Sequence, residues 1–73
     1  MPSAKRTAEI DARLSELEAE QDAANTKHGQ ETDAFNANDI DADTYKALKT
    51  VHAQETSRRN QERVLLEQER SET

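Results

Sequence analysis

Large apolar side chains are scarce in this chain: Ile, Leu, Val and Phe together make up ten of its 73 residues. At a net charge of −6, that share of ~14% lies under the ~20% level below which chains tend not to offset the cost of their own ordering. Eleven of the remaining apolar residues are Ala, which leaves twelve larger side chains with Met1 and Tyr45 included. Burying all twelve at ~2 kcal/mol each contributes ~24 kcal/mol. Ordering half the chain at ~1.5 kcal/mol per residue costs more than twice as much. A monomeric globule built around an internal active site is excluded on these terms. The chain needs a partner, a second copy of itself, or unusually favourable helix chemistry.

The missing residue types narrow the class further. Cys is absent, so there is no disulfide, no thiolate zinc site and no cysteine nucleophile. The longest run of large apolar residues is Val64-Leu65-Leu66, against the ~20 that span a bilayer. The opening Met1-Pro2-Ser3-Ala4-Lys5-Arg6 has a basic pair but no apolar stretch behind it, and no Asn-x-Ser/Thr sequon occurs. The expected location is the cytoplasm, or the interior of a viral particle for a phage protein, with no membrane as partner. Nucleic acid is not expected as a partner either, because the net negative charge repels a phosphate backbone before any local patch acts.

One Gly (Gly29) and one Pro (Pro2) punctuate the sequence, so turns are few. Residues 4–35 are dominated by Ala, Glu, Arg, Leu and Gln, which favour helix. Ile10, Leu14 and Leu17 begin a stripe that continues through Gln21, Ala24, His28, Glu31 and Phe35, apolar at its ends and polar in its middle. Gly29 is a weak point in what reads as one continuous helix. The Asn/Asp-rich segment 36–41 is the one clear turn signal. Asp41 is placed to cap a second helix over about 42–70, with Ile40 and Tyr45 at the spacing of a hydrophobic staple. Its stripe reads Tyr45, Leu48, His52, Glu55, Arg59, Glu62 and Leu66.

Asp39-Ile40-Asp41-Ala42-Asp43-Thr44-Tyr45-Lys46-Ala47-Leu48 resembles the glycine-x-Ile-Thr/Ser-x-x-x-Phe/Tyr-x-x-Leu turn of short bacterial helical hairpins, some of them C-terminal oligomerisation modules. Asn38-Asp39 stands where those turns carry glycine. The resemblance covers about ten residues and implies an architecture, not a site or an activity.

Folding the second helix back so that facing residues sum to about 80 puts Phe35 on Tyr45, His28 on His52, Gln21 on Arg59 and Leu14 on Leu66. It also sets Glu16, Glu18, Glu20 and Asp22 opposite Arg58, Arg59 and Arg63, a charge pattern that favours the antiparallel arrangement. The expected fold is therefore all-α: one antiparallel two-helix hairpin over residues 1–73, coiled-coil-like, packing into a four-helix bundle or larger assembly. The helix-helix seam is Ile10, Leu14, Leu17, Phe35, Tyr45, Leu48 and Leu66, and Ile40 and Asp41 form the turn and cap. Val51, Val64 and Leu65 lie off that seam and are the candidate partner surface. A second stripe on the first helix, from Ala4 through Ala8, Ala12, Ser15, Ala19 and Ala23, is small-residue surface that helix propensity alone accounts for.

No chemistry rises above this architecture. His28 and His52 are the only pair resembling metal ligands, and without an i, i+4 arrangement they read as polar seam residues; no metal, cofactor or catalytic residue is assigned. Carboxylates alternate along helix faces with no cleft to shift them, and the serines have no nucleophile context. Arg58, Arg59 and Arg63 are interleaved with Glu55, Glu62, Glu67 and Glu69 and lack an aromatic neighbour, unlike a nucleic-acid surface. The function expected is that of a non-catalytic structural or interaction module, such as a small assembly, scaffold or adaptor protein of a bacterium or phage. Its partner is itself or a larger protein. The alternative is a small acidic inhibitor or nucleic-acid mimic that occupies a basic groove on a target.

Overall fold

The computed structural model describes residues 4–72 as two helices, α1 (Ala4–Asn36) and α2 (Ala42–Glu72), folded back on one another. The rod measures 57 × 15 × 11 Å. Its radius of gyration is 16.6 Å, where a compact domain of this length has ~11 Å.

The turn is built by two local devices. Asn38 adopts a left-handed backbone with φ 62°, and the Asp39 N–H donates to the Ala34 carbonyl at 2.8 Å while the Asn38 N–H donates to that of Phe35 at 3.1 Å. These are the two bonds of a Schellman cap, with Asn38 in the position glycine usually fills. Asparagine tolerates this left-handed backbone, so the cap forms without a glycine. Three residues on, the Asp41 side chain accepts the Thr44 N–H at 2.7 Å, which makes Asp41 the N-cap of α2. Ile40 and Tyr45, at the staple positions, are both half-buried.

The bond to Thr44 holds the Asp41 carboxyl below its ordinary range. A carboxyl depressed on folding contributes stability that is complete above the unfolded value, near ~4, and is lost as pH falls through the lower folded value. Glu62 and Glu69 are depressed too, each by its arginine partner, and titrate with the same sign. The hairpin is expected to lose stability on acidification below pH ~4, and Asp41→Asn to flatten that loss; melts between pH 2 and 6 check it.

Gly29 does not break α1. It is exposed within the helix, at negative φ, and a methyl group there would meet nothing within 4 Å. Gly29→Ala is therefore expected to raise stability by ~1 kcal/mol, read from the thermal or urea midpoint.

The α1 stripe faces α2 as the sequence implies, but burial along it is sparse. Ile10 and Leu17 are the buried hydrophobic residues, at 0% and 3% exposure, and no described residue of α2 is buried. Leu14, Phe35, Tyr45, Leu48 and Leu66 are half-buried. On α2 the stripe differs at one place: Thr56 faces α1 and Glu55 is exposed. The Gln21 amide explains the change, donating to the Thr56 hydroxyl at 3.1 Å and accepting from Arg59 Nη1 at 3.2 Å. A short hydroxyl at 56 lets the chains close there; a glutamate would have to desolvate its charge.

The ion pairs between helices also depart from the expected arrangement. The strong ones run from arginines of α1 to carboxylates of α2. Arg13 grips Glu62 with two bonds, at 2.6 and 3.0 Å, and Arg6 makes the same two-pronged contact with Glu69 one heptad away. Arg70 returns to Asp11 at 2.6 Å. Of the pairs expected from the acidic run, one forms: Arg59 lies 3.8 Å from Glu20 and 3.6 Å from Glu55. Where the heptad step from Arg6 and Arg13 arrives at Glu20 opposite Glu55, two like charges face each other and Arg59 bridges them.

Candidate functional site

Three features stand out on this scaffold. The first is a ladder of rings at the turn end, contributed alternately by the two helices. Phe35 stacks on Tyr45 with centroids 4.6 Å apart, Tyr45 lies 5.9 Å from His28, and His28 stacks on His52 at 4.5 Å, within 5° of parallel. Thr32 ties the ladder to the backbone. Its hydroxyl donates to the His28 carbonyl at 3.0 Å and therefore accepts from the Tyr45 hydroxyl at 2.8 Å. The two histidines thus meet. Nδ1 of His28 has no hydrogen-bond partner, and the nearest carboxylate oxygen, of Glu31, is 3.8 Å away. Among the described residues no group of three or more His, Cys, Asp or Glu side chains is placed to hold a metal ion.

The second feature is an open cleft of about 450 Å³ between the helices. Leu14 and Leu17 form its apolar floor, Glu18 and Asp22 stand on one rim, and Arg59, Asn60 and Arg63 on the other. Glu18 and Asp22 form no ion pair with Arg63 across it. Glu18, Asp22 and Arg63 are exposed, so water screens their charges.

The third is the outer face of α2. Val64 and Leu65 are 45% and 65% exposed, and with Ser57, Asn60, Gln61 and Gln68 they line a shallow groove. Val51, also 50% exposed, stands alone, because 13 residues of helix separate it from Val64, or ~20 Å. The candidate partner surface thus divides, and its larger part lies toward the C-terminal half of α2. The surrounding sequence has a property that the apolar residues alone did not reveal. From Thr50 to Ser71 one line of the outer face, Thr50, Gln54, Ser57, Gln61, Val64, Gln68 and Ser71, is exposed and uncharged throughout, with Arg58, Glu67 and Glu72 standing beside it. Elsewhere the chain is rich in charge, at 36% overall. Positions 54, 57, 61, 64, 68 and 71 follow a 3-4 repeat, the spacing of a helix-packing seam, on the side away from α1.

Of the expected seam residues, Ile10 and Leu17 are buried, Phe35 stacks on Tyr45, and Leu14, Leu48 and Leu66 are half-buried; the contacts of Thr32, Thr56, Arg6 and Arg13 are not among the sequence expectations. The arginines had a signal: Arg6 and Arg13 are seven residues apart, and so are Glu62 and Glu69. No protein-family model, no curated protein and no solved structure matches this chain. Among the described residues, no helix is long and apolar enough to cross a membrane.

Proposed function

We propose that this chain is a structural or interaction module that works without catalysis, by packing its helices against other helices. It serves as a small assembly, scaffold or adaptor protein, of the kind a bacterium or phage employs, in the cytoplasm or in the particle. One observation carries the reading: the hairpin is too thin to bury a core. Its accessible surface is 5523 Å², where a compact chain of 8.2 kDa exposes ~4,500 Å². The excess of ~1,000 Å² matches what one partner covers in a standard protein interface, ~800 Å². The uncharged heptad face on α2 supplies a place for it.

An acidic inhibitor that mimics nucleic acid would need its carboxylates presented outward. Here Asp11, Glu16 and Glu20 of the acidic run are partly neutralised by arginines of the same chain, which weakens the run a mimic would present, while Asp39 and Asp43 of the turn region stay exposed. Sedimentation and helicity measured together test the proposal: both are expected to fall with dilution into the low micromolar range. A fully helical monomer that melts cooperatively at that concentration would overturn it. A steep salt dependence of target binding would favour the mimic instead.

A further inference from the structure

We infer that the partner of the outer α2 face is a second copy of the same chain, with the two α2 helices crossing antiparallel about a two-fold axis near Val64 and Leu65. This inference rests on the packing role proposed above and names its partner. The face is uncharged along its centre, so any helix seated there must be uncharged as well, and this helix meets that requirement. Charges along the edges decide the register. Arg58 and Glu72 flank the patch from opposite ends, seven residues either side of Leu65, and neither forms an ion pair among the described residues.

In an antiparallel pair whose facing residues sum to about 130, Val64 and Leu65 of one copy meet Leu65 and Val64 of the other. The same register brings Gln61 level with Gln68 and Arg58 with Glu72, each contact occurring twice by symmetry. The two unpaired charges of each copy thus become two complementary pairs in the dimer. Two amide side chains able both to donate and to accept face each other beside the apolar centre. A parallel pair would set Arg58 level with Arg58 and Glu72 with Glu72, which separates the alternatives by charge. The like-with-like contact closes on itself and leaves no repeating surface, so the product is a four-helix dimer and not a filament.

The chain contains no cysteine, so single cysteines report the axis directly. Leu65→Cys is expected to cross-link into a disulfide dimer under mild oxidation. Ala53→Cys, on the same outer face but far from the axis, is expected to stay monomeric under denaturing electrophoresis. Arg58→Glu is expected to weaken dimerisation ~10-fold in sedimentation, since symmetry counts the change twice, and Arg58→Glu with Glu72→Arg to restore it. Restoration by the double variant shows that the loss is not one of folding. Concentration-dependent association with no cross-link at Leu65→Cys, or with no response to the charge reversals, would overturn the antiparallel pair and leave the packing role standing. A helical chain that stays monomeric at every concentration would overturn both.

Discussion

Leu17→Ala is expected to melt the hairpin at concentrations where the parent is assembled and helical. Leu17 is one of two buried hydrophobic side chains among the described residues, and truncating a buried leucine costs ~2–5 kcal/mol. A chain of this length has ~4–10 kcal/mol to lose at typical values per residue, and so thin a core puts it at the low end. The effect is magnified by position. Leu17 and Ile10 sit in the free half of the rod, where α1 and α2 are joined by no turn and the neighbouring α2 residues are half-buried at best. Loss of Leu17 leaves that half held chiefly by Arg6–Glu69, Arg13–Glu62 and Arg70–Asp11, and exposed ion pairs hold little on their own. Circular dichroism at a concentration that keeps the parent assembled should show helical signal falling by half or more at 25 °C. Leu65→Ala leaves the hairpin's own core intact and should instead raise the concentration at which helicity appears. If Leu17→Ala melts with the parent, the free half is held by something other than its core.

How much of this was legible in the sequence follows from what each kind of signal depends on. The turn was readable because its devices are local: Asp41 caps the next three residues whatever the rest of the chain does. The α1 stripe was readable because Ile10, Leu14, Leu17 and Phe35 fix a helical phase between them. On α2 that phase had to be carried from Leu48 to Leu66 across a stretch with no large apolar seam residue. There a strict heptad chose Glu55 and the structure uses Thr56. Hydrogen bonding from Gln21 decides the matter, and no periodicity in hydrophobicity encodes it.

Ion-pair choice was less legible for a related reason. Net charge along each helix pointed to acidic α1 against basic α2, yet long arginine side chains reach back from α1 to isolated glutamates, and pairing follows reach and helix phase. The candidate interface had the opposite history. Val51, Val64 and Leu65 stand out as exposed apolar residues in the sequence and in the structure alike; the uncharged line from Thr50 to Ser71 is visible only once the helix phase is known.

Tyr45→Ala is the second large effect, and it acts at the other end of the molecule. Tyr45 is the fourth residue of α2 and the place where the rings of both helices interleave, with Phe35 on one side at 4.6 Å and His28 on the other at 5.9 Å. Removing it takes away half-buried ring area, two stacking contacts worth ~0.5–1.5 kcal/mol each, and the hydroxyl bond to Thr32. A loss of ~2–3 kcal/mol is expected, below that of a fully buried aromatic because Tyr45 is half-exposed. Tyr45→Phe separates ring from hydroxyl. Thr32 keeps its donation to the His28 carbonyl, so no donor is stranded and the cost should stay near ~0.5 kcal/mol. The location of the loss is as informative as its size. In Tyr45→Ala, hydrogen exchange should quicken first at residues 32–48, where ladder and turn support one another, while amides around Ile10 and Leu17 keep their protection relative to the global melt. Equal acceleration along both arms would mean that the ring ladder and the Ile10–Leu17 core form one cooperative unit, and that the polar stretch through Gln21 and Thr56 transmits stability between them.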